Sequence, residues 1–204
     1  CDIEITDEKL IYRIQIILRY CDSKDGEIRE IVDYLRNHPL DIFNYDFKEK
    51  YNNYDIELGM EHDLFYTFYD NKKIYFSRKL DTEEKCRKYF KSLLIEQDKD
   101  SPHLYLENFE EVENAVVIDA GVAEGNFSLS IIDKAKRIYM FEPDEDWCEA
   151  LRYTFEPYKE KVIIINKFLS DYCNEVTVKI DDVVDEKVNC IKLDIEGEEI
   201  YALK

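Results

Sequence analysis

The chain has 204 residues, 45% of them hydrophobic and 37% charged, and a formal net charge of −19. That suffices for one elaborated domain, or one domain with a cap, around a covered core. The charge repels nucleic-acid backbones and anionic lipid, so no nucleic-acid and no membrane partner is expected, and no apolar run nears the roughly 18 residues of a membrane helix.

Residues 1 to about 40 read as two helices. Ile11, Ile14, Leu18 and Cys21 share one face, and Ile28, Ile31, Val32 and Leu35 share another. His38-Pro39 stops the second helix. Residues 40–60, rich in Tyr, Asn and Asp, read as irregular. DLFYTFY and KIYFSR flank Asp70-Asn71-Lys72, a strand–turn–strand pattern whose aromatics suit a packing surface. Thr82 caps a helix with Cys86, Tyr89, Phe90, Leu93 and Leu94 on its apolar face. DSPHLYL follows as a loop. Residues 1–110 are therefore expected to form a helical and hairpin cap region.

From residue 111 the pattern changes to α/β. The predicted order is strand AVVID, helix 126–136, strand RIYMFE, helix 144–156, strand KVIIIN, a hairpin-like stretch 168–180, strand VNCIKLD and the start of another helix. Such alternation implies parallel strands joined by right-handed crossovers. Strands buried on both faces explain runs such as Val162 to Ile165. The six cysteines (Cys1, Cys21, Cys86, Cys148, Cys173 and Cys190) contain no C-x-x-C pair. Reduced thiols in a cytoplasmic protein fit this spacing better than disulfides or a zinc site. The start at Cys1 rather than Met reads as a trimmed chain.

The turn after the first parallel strand, VVIDAGVAEGNFSLS, carries the main functional signal. A sheet of this kind binds ligands at the carboxyl ends of its strands, where strand order reverses. Asp119 stands at such an end, and Gly121 lets a ligand lie against bare backbone. The pattern is D-x-G-x-x-x-G rather than the dinucleotide G-x-G-x-x-G, and no P-loop lysine follows. Glu124 adds a negative charge where a pyrophosphate would sit. Glu142, 21 residues after Gly121, ends the next strand, where a carboxylate grips ribose hydroxyls. A nucleoside with a cationic, phosphate-free tail fits these parts, and S-adenosylmethionine is such a molecule. The plain alternative is that Asp119 and Glu142 only cap helices.

Together with YMFEPD, FLSD, KIDDVV and IKLDIEGEE, this block resembles the FkbM-type S-adenosylmethionine-dependent methyltransferases over about residues 72–204. The resemblance implies a Rossmann-like class I methyltransferase sheet, with residues 111–204 as the first part of the cofactor-binding domain. It implies that Asp119, Gly121 and Glu124 surround the methionine end of the cofactor. Glu142 would hold the ribose, and Ser170 and Asp171 would lie near the adenine. Asp194 would face the transferring methyl and the acceptor. The family's domain has seven strands in the order 3-2-1-4-5-7-6, and the chain stops just after the fourth. The chain is therefore expected to be the front part of a longer protein, incomplete at its C-terminus.

An alcohol acceptor needs its proton removed. Asp194 and the loop residue His103 are the candidates; His38 and His62 lack a supporting pattern. Asp181-Asp182 and Glu196, Glu198 and Glu199 invite a metal reading, yet spacing fixes no ligand set, so no metal is predicted. The implied acceptor is a hydroxyl on a sugar or other small metabolite. The competing classes are a nucleotide-binding oxidoreductase of similar fold and a non-catalytic interaction module. Oligomeric state is left open.

Overall fold

The computed structural model describes residues 8–40, 46–195 and 197–203, which belong to two units, Cys1–Glu49 and Lys50–Lys204. In the first unit, helices α1 (Glu8–Tyr20) and α2 (Gly26–Asn37) pack against each other. Asp25 starts α2 by accepting the Glu27 and Ile28 amides, which satisfies two of the helix's orphan donors. Val32 and Leu35 are its buried residues, and the chain leaves the helix at His38, as the His-Pro pair predicts. Residues 41–45, within the stretch read as irregular, lie outside the described residues, as does Cys1.

The second unit begins with a small antiparallel sheet: β1 (Gly59–Glu61), β2 (Leu64–Tyr69) and β3 (Lys72–Tyr75). β1 falls in the stretch expected to be irregular. Both of its turns are two-residue turns with left-handed backbone at each position, His62-Asp63 (φ 56° and 58°) and Asp70-Asn71 (φ 50° and 61°). That conformation matches strand twist and is tolerated by Asn and Asp. α3 (Glu83–Glu96) follows, with the Thr82 hydroxyl accepting the Lys85 amide and with Cys86, Phe90 and Leu93 buried as the periodicity predicts.

The parallel sheet is built from β4 (Val116–Ala120), β5 (Arg137–Phe141), β6 (Val162–Ile165) and β9 (Cys190–Leu193) in the order β6-β5-β4-β9. Taken in chain order these are strands three, two, one and four, the Rossmann-like α/β order that the sequence implies. α4 (Asn126–Ile131) and α5 (Glu145–Thr154) make the crossovers, and α6 (Glu199–Ala202) follows β9. β4 is buried along its whole length. Its period-two alternation sends Val117 toward α4, α5, α3 and Phe76, and sends Val116, Ile118 and Ala120 to the other face with Tyr139, Phe141 and Ala202. The small sheet and α3 therefore share one core with the parallel sheet. The hairpin strand β3 is tied to α5 directly, through the Tyr75 amide and the Thr154 hydroxyl at 2.9 Å.

Two predicted elements differ. α4 ends at Ile131, not at 136, because the following backbone is captured elsewhere: Lys134 accepts from the Asn114 amide, and the Lys136 amide donates to Ala115. Those bonds turn the chain into β5. The stretch 168–180 is not a hairpin. β7 (Phe168–Leu169) and β8 (Thr177–Val178) pair in parallel, because the loop between them folds back on Asn174, whose side chain accepts the Val176 and Thr177 amides. Of the described cysteines, Cys86 and Cys148 are buried, Cys190 is half-buried, and Cys21 and Cys173 are exposed; all are free. No described helix is long and apolar enough to cross a membrane.

Gly125, the second glycine of the turn, serves packing. It precedes α4 with φ 83°, and a Cβ there would lie 2.7 Å from Leu151 Cδ2 and 2.8 Å from Phe155 Cε2. Gly125→Ala combines left-handed strain with overpacking against α5, and the expected loss is about 2 kcal/mol or more. Urea unfolding checks it: the midpoint falls while the slope is unchanged. An unchanged midpoint would show that α4 and α5 have room to separate.

Candidate functional site

At the carboxyl ends of β4, β5 and β9 lies a cleft of about 1040 Å³. Gly121, Glu142, Ser170, Thr177 and Asp194 line it, with Phe141, Leu169, Val176 and Trp147 as apolar walls. Four of the expected residues are thus brought together by the fold: Gly121, Glu142, Ser170 and Asp194.

Glu142 follows directly on β5. Its Oε2 accepts the Ala123 amide at 2.8 Å and its Oε1 accepts the Asp144 amide at 2.9 Å. One bond per oxygen leaves each with acceptor capacity. Burial raises the Glu142 carboxyl above its ordinary pKa, and the two amides oppose that rise. The Asn166 side chain also holds the Glu142 and Pro143 carbonyls, fixing the strand end.

Gly121 has φ 73°, and a Cβ there would overlap the Asp194 carbonyl oxygen. The turn of β4 and the end of β9 are therefore in backbone contact, which only glycine permits. The turn's amides are already engaged: Gly121 donates to Phe141, Ala123 to Glu142, and Gly125 to the Val122 carbonyl. A phosphate would find no free cradle in these three groups.

Asp119 and Glu124 do not line the cleft; they lie behind the turn. Asp119 is fully buried. Its Oδ2 accepts from Ser128 at 2.7 Å, and its Oδ1 lies 3.1 Å from Lys192 Nζ. Burial raises the Asp119 carboxyl against the pull of that ammonium. Lys192 also donates to the Gly121 carbonyl at 2.6 Å. Glu124 accepts the hydroxyl of Tyr89, which projects from α3, and burial pushes its carboxyl up to about 7. Burial raises Tyr89 as well.

Asp194 lines the cleft, and its Oδ2 accepts the Tyr105 hydroxyl at 2.8 Å. Burial and that carboxylate both raise the phenol's pKa. His103 is exposed in the same loop and does not line the cleft; nor does Tyr105, two residues on, whose hydroxyl lies between Asp194 and, at 3.2 Å, Glu96. Asp171 faces a separate groove with Lys179 and Asp181 rather than this cleft. Glu196 lies outside the described residues, and among those described no group of three or more His, Cys, Asp or Glu side chains could hold a metal ion.

Lys192, Tyr105, Tyr89 and Thr177 escaped the sequence reading. Lys192 carried a signal, since a lysine inside an apolar strand run needs a buried partner. The tyrosines carried none, because 16 are spread along the chain.

No family model matches the chain, and no curated protein matches it. Among solved structures it is similar to a methyltransferase FkbM from Methylobacillus flagellatus KT, with 18% identity, a TM-score of 0.41, and coverage of 59% of this chain and 39% of that one. It is also similar to Trm5b from Pyrococcus abyssi (16%, 0.31, 69% and 33%) and to aTrm5 in a complex with tRNALeu (20%, 0.33, 85% and 47%). The chain thus spans less than half the length of each. At such identities and scores the likeness says nothing of activity. One matched chain nevertheless holds tRNALeu, so the expectation of no nucleic-acid partner does not stand. Net charge sums over the whole chain, whereas phosphates are met by a local cationic patch.

Glu124 gives a pH prediction. Its folded pKa lies above its ordinary value of 4.5, so the folded state binds the proton more tightly. Stability from this group is complete below pH 4.5 and is lost as pH rises through about 7. Glu124→Gln keeps an acceptor for Tyr89 and removes the titration. Relative to this variant, the wild type is expected to lose on the order of 3 kcal/mol across that window. Urea midpoints from pH 4 to 8 check it; a constant difference would mean that folding does not shift the Glu124 carboxyl.

Proposed function

We propose that the chain binds S-adenosylmethionine in this cleft and forms part of a methyltransferase acting on a hydroxyl oxygen of a sugar or other small metabolite. The observation that carries the reading is Glu142. It is a carboxylate at the carboxyl end of the second parallel strand, facing the cleft, with one backbone amide on each oxygen. Two acceptor sites remain on one rigid group, which suits the paired hydroxyls of a ribose. The rest of the donor set fits the same molecule. Glu142, Asp144, Asp194 and Glu198 line the cleft with Lys167, and Asp144 is paired with Lys79. Such a wall favours a cation over a diphosphate. The engaged amides of the glycine turn count against a dinucleotide in the same way, and no observation favours an oxidoreductase.

When bound, S-adenosylmethionine supplies an electrophilic methyl group on a sulfonium. Glu142 holds the ribose end, and Gly121 allows close approach at the turn. The apolar walls from Phe141, Leu169 and Trp147 exclude water. Asp194, steadied by Tyr105, takes the proton of the acceptor hydroxyl.

Calorimetry tests the binding step. Glu142→Ala removes hydrogen bonds to a charged group, each about 1.5–3 kcal/mol, so S-adenosylmethionine affinity is expected to fall at least tenfold while the protein still melts cooperatively. Unchanged affinity, or tighter binding of NAD than of S-adenosylmethionine by the wild type, would sink the reading. Asp194→Asn tests the chemical step. Labelled-methyl transfer to a hydroxyl acceptor is expected to drop about 10²–10⁴-fold with little change in cofactor affinity. Transfer at the wild-type rate would leave Asp194 as an acceptor for the Tyr105 hydroxyl only, a role the side-chain oxygen of asparagine also fills.

A further inference from the structure

We infer that Lys192 is the positioning residue of the cleft: one buried ammonium holds both the glycine turn and, through Tyr105, the Asp194 carboxylate. Lys192 lies on β9 in direct register with Asp119 on β4. Only 9% of its side chain is exposed. Its Nζ makes three contacts around the cleft floor. It donates to the Gly121 carbonyl at 2.6 Å, lies 3.1 Å from Asp119 Oδ1, and sits 5.1 Å from the centre of the Tyr105 ring. The Tyr105 hydroxyl in turn bonds Asp194. Gly121 and Asp194 both line the cleft, so the ammonium acts on two of its walls from behind.

The geometry separates the roles of the two partners. Asp119 touches neither wall; it accepts from Ser128 and neutralises Lys192. Lys192 touches the turn itself. With its amide bonded to Phe141 and its carbonyl bonded to Lys192, the Gly121 residue is held on both sides. Releasing the carbonyl frees the turn to rotate, and with it the Ala123 amide that orients Glu142. The aspartate is therefore a counter-charge, and the lysine sets the geometry that a ligand meets.

This rests on the proposed cofactor, and binding of S-adenosylmethionine is the readout. Lys192→Met alone would strand a buried carboxylate, so it is combined with Asp119→Asn to remove both charges together. The double variant is expected to melt close to the wild type yet bind S-adenosylmethionine about tenfold to a hundredfold more weakly. Asp119→Asn alone strands the ammonium and is expected to lower the melting point, yet it keeps that ammonium on Gly121, so binding measured below the transition is expected within a few-fold of the wild type. Lys192→Arg, which keeps a cationic donor, is expected to regain most of the affinity. If the double variant does not fold, Lys192→Leu with Asp119→Asn carries the same comparison. A folded double variant that binds as tightly as Asp119→Asn overturns the inference and reduces Lys192 to charge balance. A wild type that binds no S-adenosylmethionine would instead overturn the cofactor reading.

Discussion

The arrangement of the cleft turns on the pairing of Asp119 with Lys192 near the carboxyl ends of the two adjacent strands β4 and β9. An ion pair so deeply buried is a weak source of stability, because taking two charges out of water offsets most of their attraction. Its consequence here is geometric. The ammonium reaches past its partner to the Gly121 carbonyl, and the Gly121 Cα lies against the Asp194 backbone with no room for a side chain. Turn, strand end and ion pair are thus fixed as one body. From that body the Ala123 amide points at Glu142, so the carboxylate on the neighbouring strand inherits its orientation from the pair.

The cleft that results combines an acidic opening with a turn whose amides are engaged. A phosphate site needs free amides, and three amides of this turn, those of Gly121, Ala123 and Gly125, are bonded internally. The carboxylates around the opening add a field of the same sign as a phosphate. A sugar diol and a positive centre meet neither obstacle.

The elements ahead of the parallel sheet are more than a cover. α3 and the loop after it pack on the same face as α4 and α5, and each contributes one tyrosine to the site region. Tyr89 meets Glu124 behind the turn. Tyr105 meets Asp194 at the cleft and covers Lys192. The buried Glu124 needs a donor, whereas the exposed Asp194 is oriented by one, and in each case a tyrosine supplies it.

The sequence by itself determined the parallel strands, their order of appearance and the positions of Gly121, Glu142 and Asp194 at strand ends. Those features are local: alternation, turn glycines and strand-end acids are written within a few residues of each other. It also determined the Thr82 helix start, which depends on one side chain and the next turn of backbone. It could not decide which carboxylates face the cleft. Asp119 and Glu124 have the spacing of ligand contacts, yet tertiary packing turns one toward Lys192 and the other toward Tyr89. Nor could it tell that Lys192 opposes Asp119, since register between strands 71 residues apart, as Gly121 and Lys192 are, is set only when the sheet assembles. The length of α4 and the parallel pairing of β7 with β8 were decided the same way, by backbone groups of distant segments competing for the same hydrogen bonds.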